Sequence, residues 1–156
     1  MVTEGTVAKG AKPEWSLRPA VLADQAGLTR LSAQLGYPIE NQLLGHNLHF
    51  ILARPDHWVQ VVADAHEQVL GWVHGYVRVV LESAPAVEVG GLVVDAACRG
   101  QGMGRALMAA LEAWARTQAV GRVTLRSGME RPEAHRFYLS LGYTAIKQQQ
   151  AFSKSL

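Results

Sequence analysis

The period of the apolar positions changes several times along this chain, and each change marks an element. Leu28, Leu31 and Leu35 recur at helical spacing, which predicts a helix beginning near Asp24 and stopped by Gly36-Tyr37-Pro38. Leu43, Leu44, Leu48 and Ile51 predict a second helix over Glu40–Ala53, halted by Pro55. From Trp58 the alternation is that of strands: Trp58–Ala63, then Val69–Leu81 after a turn at Ala65–Gln68, then Ala86–Val94, together a meander. A short strand over Glu14–Arg18 precedes the helices. Met103, Leu107, Leu111 and Trp114 restore helical spacing over Gly102–Thr117. Arg122–Arg126 reads as a strand and Pro132–Leu141 as a helix with proline in its first turn and Gly142 at its end. Tyr143–Phe152 reads as a last strand or a closing hairpin.

This order of elements predicts an α/β (α+β) chain with a mixed central sheet and helices on its faces. Residues 1–13 are small, polar and without period, so they are expected to be a flexible lead, with 14–156 forming a single domain. At 156 residues and 49% hydrophobic, that domain can bury a sizeable core. The net charge is only +2 and the basic residues are scattered, so a nucleic-acid partner is not implied. No apolar run approaches the roughly 18 residues of a membrane span, and the first residues lack the apolar stretch of a secretory signal. No membrane partner and a cytoplasmic location are therefore expected. A single cysteine, Cys98, excludes an internal disulfide framework.

The richest chemistry lies where the strand Leu92-Val93-Val94 runs through Asp95–Cys98 into Arg99-Gly100-Gln101-Gly102-Met103-Gly104-Arg105 and a helix. Glycines let successive backbone N–H groups turn inward, and a helix N-terminus adds a positive dipole, so the segment is a cradle for a phosphate or pyrophosphate. It is not a P-loop, because Arg105 and Ala106 stand where Lys and Ser/Thr would follow the last glycine. Nor is it a dinucleotide fingerprint, because Gly100, Gly102 and Gly104 give G-x-G-x-G in place of G-x-G-x-x-G.

The remaining pattern, R-x-x-G-x-G over Arg99–Gly104, resembles the acyl-CoA pyrophosphate loop of the GNAT superfamily of N-acetyltransferases. Two further segments carry the same resemblance. Ala134-His135-Arg136-Phe137-Tyr138, followed by Gly142-Tyr143, is similar to the last block of that family, and Glu88, eleven residues before Arg99, occupies the place of a general-base glutamate in several members. The specific motifs span about residues 86–143; the first half matches in general pattern.

The resemblance implies a GNAT-like, mostly antiparallel sheet with a splayed parallel strand pair, and acetyl-CoA as co-substrate without a metal. Its pantetheine arm would lie along Leu92, Val93 and Val94, with the amide of Leu92 or Val93 facing the thioester oxygen. Its pyrophosphate would sit on Arg99, Gly100, Gln101, Gly102, Met103, Gly104 and Arg105. His135, which stands where many relatives carry asparagine, is a further expected cofactor contact. Glu88 would be the general base, directly or through water, and Tyr138 the acid that protonates the departing thiolate. The Gly90-Gly91 pair, inside an apolar strand, marks either the opening beside the pantetheine or close packing under a helix.

The expected function is transfer of an acetyl group to a primary amine of a small molecule through a ternary complex. A protein N-terminus or lysine as acceptor, or a non-catalytic acyl-CoA sensor, are the alternatives. The acceptor would be bound by the loop at Gly36–Asn41, the middle strands and the C-terminal hairpin, and Glu40, Glu82, Glu88, Glu130 and Glu133 could attract a cation. Trp72, His74, Tyr76 and Arg78 alternate onto one strand face, which would either line an acceptor pocket or pack under a helix. An acyl-cysteine route through Cys98 lacks a paired base in the sequence. His46-x-x-His49 with His57 lacks a placed third ligand for zinc. A homodimer would match the family's habit, although no interface signature is visible.

Overall fold

The computed structural model describes residues 14–156, so the expectation of a flexible lead over 1–13 lies outside the described residues. The chain divides into two compact units, one ending at Leu125 and one comprising Arg126–Leu156.

The first unit carries a five-stranded sheet in the order β1-β2-β3-β4-β5: Trp15–Pro19, His57–Asp64, Val69–Val80, Ser83–Val94 and Val123–Leu125. The first four strands pair antiparallel, while β5 runs parallel to β4. Helices α1 (Gln25–Leu35) and α2 (Asn41–Leu52) follow β1, and α3 (Met103–Thr117) joins β4 to β5. All these elements fall within a few residues of those the apolar periods predict, because each buries one face against the sheet.

Helices do cover both faces. Leu28 and Leu31 of α1 and Leu48 of α2 are buried with Val59, Val61 and Val93 of the sheet, and Leu35 and Trp72 pack at the margin of that cluster. On the opposite face, α3 presses Leu107 and Leu111 toward Gly71 and Gly75, where an added Cβ would come within 3.4 Å and 2.8 Å of those leucines. Glycine in β3 is thus what allows α3 to lie close. Trp58 stacks on Trp114 in the same layer, ring centroids 5.7 Å apart.

One buried ion pair ties the first strand to the first helix. Arg18 of β1 donates from Nη1 and Nη2 to the two carboxylate oxygens of Asp24, each at 2.8 Å, and the Val21 N–H donates to the same carboxylate. Burial alone would raise the Asp24 carboxyl, but the Arg18 hydrogen bonds and the Val21 N–H outweigh it and hold the group below its ordinary value. Asp24 precedes Gln25 as the N-cap residue of α1, and Gly36 ends that helix at φ +98°.

The second unit contains α4 (Pro132–Ser140), with proline in its first turn. Its end is closed by Gly142 at φ +93°, with the Gly142 N–H donating to Leu139 and the Tyr143 N–H to Tyr138. The strand or hairpin expected at Tyr143–Phe152 is not formed. That segment carries no regular structure, and from Thr144 onward every side chain is exposed, so the polar run Lys147-Gln148-Gln149-Gln150 has no apolar face to pair with a sheet.

Asp24→Ala would leave the Arg18 guanidinium partly buried without its main partner and is expected to cost about 3 kcal/mol, read from the midpoint of urea unfolding. Because the folded-state carboxyl titrates below its ordinary 3.8, its contribution is complete above that value and is lost as pH falls through the folded pKa. The gap between wild type and Asp24→Ala should therefore narrow below about pH 4.

Candidate functional site

The site begins with a one-residue irregularity in β4. Opposite β3, Gly91 pairs with His74 and Val89 with Gly75, so Gly90 is an extra residue without a partner. Its consequence is visible at the two ends of the strand. The Val87 N–H donates to the Arg122 carbonyl on the β5 side at 3.1 Å, whereas the Asp95 N–H donates to the Leu70 carbonyl on the β3 side at 2.7 Å. Backbone groups alternate between edges along a strand. Odd-numbered residues therefore face β5 before the bulge and β3 after it, and Leu92 and Val94 turn their N–H and C=O groups to the edge away from β3. Among the described residues no strand pairs with that edge beyond Val89, because β5 pairs only with Val87–Val89. This is the splayed parallel pair expected from the sequence.

The two glycines also make room for rings from β3. A Cβ at Gly90 would lie 2.7 Å from Nδ1 of His74, and one at Gly91 would lie 2.6 Å from the Trp72 indole. The glycine pair thus stands at the bulge, and what crowds it is rings from β3 and not the close-packed helix that was one of the two expectations.

Past Val94 the chain is pinned. Asp95 accepts from Arg30 of α1 at 2.6 Å and from the Ala97 N–H at 3.1 Å, and its carboxyl is held below the ordinary range first by that Arg30 bond. The Ala96 N–H donates to the Gln34 side-chain oxygen, and Arg30 also donates to the Val69 carbonyl. These α1 anchors are invisible to sequence patterning, because Arg30 and Gln34 look like an ordinary solvent face of a helix. Gly100 and Gly102 then adopt φ +82° and +81°, with open space where a Cβ would stand. Glycine is required there by backbone conformation and not by crowding.

Gly102 caps α3, whose first residues Met103, Gly104 and Arg105 present N–H groups lacking intrahelical acceptors, since the first helical bond runs from Ala106 to Gly102. Arg99, Gln101 and Arg105 are exposed around this turn, and the Arg99 Nε lies 3.4 Å from the Val94 carbonyl. A backbone turn with inward N–H groups, a helix N-terminus and two exposed guanidinium groups fit a pyrophosphate.

Glu88 lies on β4 directly opposite Tyr76 and is buried. Its Oε2 accepts from the Tyr76 hydroxyl at 3.1 Å and pairs with Nε of Arg78 at 3.2 Å. The face of Trp72, His74, Tyr76 and Arg78 noted in the sequence therefore divides. Trp72 packs at the edge of the α1/α2 core, while His74, Tyr76 and Arg78 form a polar cluster with Glu88 and with His57 of β2. His57 and His74 stack with centroids 5.2 Å apart, and their Nδ1 and Nε2 atoms lie 2.9 Å apart. Burial, with the neighbouring His57 adding to it, lowers the His74 pKa to about 4, so this imidazole is neutral near pH 7.

In the second unit, Tyr138 of α4 packs edge-on against Phe137 and Tyr143, and burial raises its phenol above the ordinary value. The His135 ring bonds the Gly128 carbonyl at 2.9 Å, which orders the segment before α4 and gives this residue a structural partner of its own. Among the described residues no three His, Cys, Asp or Glu side chains are placed to hold a metal ion, and His57 is engaged with His74 and not with His46 or His49. No helix among the described residues is long and apolar enough to cross a membrane.

A sequence profile described as "Acetyltransferase (GNAT) family" matches residues 26–143, which takes in β4, this loop and α3. The chain belongs to the GNAT acetyltransferase family. Among curated relatives, it is 38% identical over 68 residues to an uncharacterized N-acetyltransferase of Bacillus subtilis, a match covering 43% of this chain and 48% of that protein. The chain thus matches about half the length of that relative. Its fold is similar to that of an aminoglycoside antibiotic 6'-N-acetyltransferase from Acinetobacter baumannii, with TM-score 0.79 and 16% identity over 91% of this chain and 99% of the other. A GNAT family acetyltransferase from Staphylococcus aureus gives TM-score 0.70 and 22% identity over 92% and 99%. At such identities the likeness is one of fold.

Gly102→Val must force a β-branched residue to φ +81°. It is expected to cost about 1–2 kcal/mol of stability. It should also weaken coenzyme A binding at least about tenfold by displacing the N-terminal turn of α3, measured by calorimetric titration.

Proposed function

We propose that this protein is an acetyl-CoA-dependent N-acetyltransferase that acylates a primary amine of a small molecule in a direct ternary complex. The observation that carries this reading is the edge of β4 over Gly90–Val94 that no described strand pairs with, followed by the positive-φ glycine turn at the start of α3. An extended polar arm followed by a pyrophosphate matches that sequence of features: donors and acceptors along an open strand edge, then an anion cradle. In this reading the backbone of Leu92 and Val94 on the open edge holds the pantetheine, whereas Val93, expected to share in it, turns its backbone groups to Trp72 of β3 and cannot. Arg99–Arg105 hold the pyrophosphate, and His135 contributes through the ring nitrogen not bonded to Gly128.

The chemistry requires a neutral nucleophile and a proton for the leaving thiolate. A primary amine of pKa ~10 arrives protonated at neutral pH. Glu88, a carboxylate buried on β4 and oriented by Tyr76 and Arg78, takes the proton that frees the amine. Oriented donors at the strand edge, the Leu92 amide among them, offset charge developing on the thioester oxygen. Tyr138 donates its phenolic proton to the thiolate; burial holds the phenol in its protonated form until that moment. The polar cluster on the β3 face supports a small-molecule amine as the acceptor. The aminoglycoside-acetylating neighbours share the fold and point to the same class of acceptor.

The test is calorimetric titration with acetyl-CoA and free coenzyme A, followed by amine-dependent thiol release over a pool of small amines. Binding with release supports the enzyme; binding without release of thiol by any small amine would favour a sensor or a protein acceptor. Glu88→Gln and Tyr138→Phe are each expected to lower kcat about 10²-fold with acetyl-CoA affinity nearly unchanged.

A further inference from the structure

The acetyl-transfer reading leaves a proton unassigned. A primary ammonium must lose two protons to become a secondary amide nitrogen, one before it attacks and one as or after the C–N bond forms. Glu88 is assigned the first. The second appears only when the nitrogen bonds the acetyl carbon, and it needs an acceptor beside the opened strand.

His74 stands there. Its Nδ1 lies 2.7 Å from where a Cβ of Gly90 would be, so the ring nitrogen is aimed at the bulge itself, and only glycine keeps that space clear. Gly90 is exposed, so the space is reachable from outside the sheet. The other ring nitrogen, Nε2, is 2.9 Å from Nδ1 of His57, and no hydrogen bond from a described residue reaches His74 Nδ1. Ring nitrogens at this distance share one proton between them. When His74 Nε2 carries it and donates to His57, His74 Nδ1 is left as a bare acceptor facing the bulge. The remaining polar groups on this face are committed elsewhere: Tyr76 donates to Glu88, and Arg78 pairs with Glu88.

We propose that His74 is a second catalytic base, taking the proton released from the acceptor nitrogen on acylation, and that His57 is the positioning residue that sets its tautomer and relays the proton to solvent. The step balances without a further reactant. The amine nitrogen bonds the acetyl carbon as the C–S bond breaks; the nitrogen's proton passes to His74 Nδ1, the proton on His74 Nε2 passes to His57 Nδ1, and His57 releases one from its own Nε2. The thiolate takes its proton from Tyr138, and the proton held by Glu88 returns through solvent to the Tyr138 phenolate while the two rings regain their resting tautomers, so the products are the amide, the thiol and one proton. Such a relay suits a buried imidazole, because neither ring of the pair need hold a full charge for long.

The assignment rests on the N-acetyltransferase reading, and its test separates the two. kcat/KM is measured from about pH 7 to 10 for wild type, Glu88→Gln, His74→Gln and His57→Phe, with acetyl-CoA affinity and circular dichroism as controls. His74→Gln keeps a polar atom near the Nε2 position and removes Nδ1; His74→Phe serves if that variant fails to fold. Glu88→Gln should recover toward high pH, where the amine is already neutral. His74→Gln should remain about 10²-fold down throughout, because its proton does not exist until the bond forms. Nitrogen-15 chemical shifts of the resting protein should show His74 protonated at Nε2 alone, and His57→Phe should abolish that preference while lowering kcat. A His74 variant at near wild-type rate with acetyl-CoA bound, its recovery at high pH in parallel with Glu88→Gln, or a proton on His74 Nδ1 would overturn the assignment alone. Wild-type protein that binds acetyl-CoA but acylates no amine would overturn the acetyltransferase reading and the assignment with it, whatever the nitrogen shifts show.

Discussion

The extra residue at Gly90 is the constraint from which the rest of the site follows. Without it, the alternation of backbone groups along β4 would continue unbroken from Val87 to Asp95, and the strand's odd residues would face β5 throughout. Either the β3 ladder would be lost past the bulge or Leu92 and Val94 would be consumed in it. One unpaired residue lets the strand keep both its neighbours in succession: β5 over Val87–Val89 and β3 beyond, with the second edge left open. An open sheet edge is ordinarily a hazard for aggregation. Here its row of unpaired groups is what a linear polar ligand needs.

The same bulge sets where charge and rings can stand. The face beneath α1 and α2 is apolar as far as Trp72 and Val93, and becomes polar at His74, Tyr76 and Glu88. That change happens across adjacent alternating positions of β3, so no loop or domain movement is needed to bring a carboxylate, a phenol and two imidazoles together. Burial is tolerable for these groups because each has a partner: Arg78 and Tyr76 for Glu88, and His57 for His74. The opposite face solves a different problem, using glycines in β3 to admit the leucines of α3. By fixing α3 close to the sheet, those contacts fix the helix N-terminus where the strand ends.

Rigidity of the turn between β4 and α3 comes from a third element. Asp95 would be a flexible strand end if Arg30 and Gln34 of α1 did not reach it, yet these two residues lie about 60 positions earlier in the chain. The glycine turn is thereby carried on two helices and a strand, and only its φ-positive residues are free of side-chain constraint. Binding sites on loops gain precision when the scaffold holds both ends in this way.

How much of this was legible in the residues depends on the range of the interaction that decides it. Apolar periods of two and 3.6 located nearly every strand and helix, and the φ-positive turn announced itself through Gly100 and Gly102, because these are local properties of the backbone. The failure at Tyr143–Phe152 has the same root: alternation there is weak, and a strand exists only if a sheet edge and an apolar face receive it, which a sequence window does not contain. Glu88 was visible as a candidate through the family resemblance, and the β3 face through its alternation. Their partnerships were not, since the Tyr76 and Arg78 bonds to Glu88, the His57–His74 pair and the Arg30–Asp95 anchor each join residues on different elements. By itself, then, the sequence determined nearly all the elements, the class of fold and the position of the glycine turn. The tertiary structure alone decided which edge of β4 is open and which ring faces it, because a single unpaired residue in a ladder reverses every position beyond it and only the neighbouring strand reveals where that residue falls.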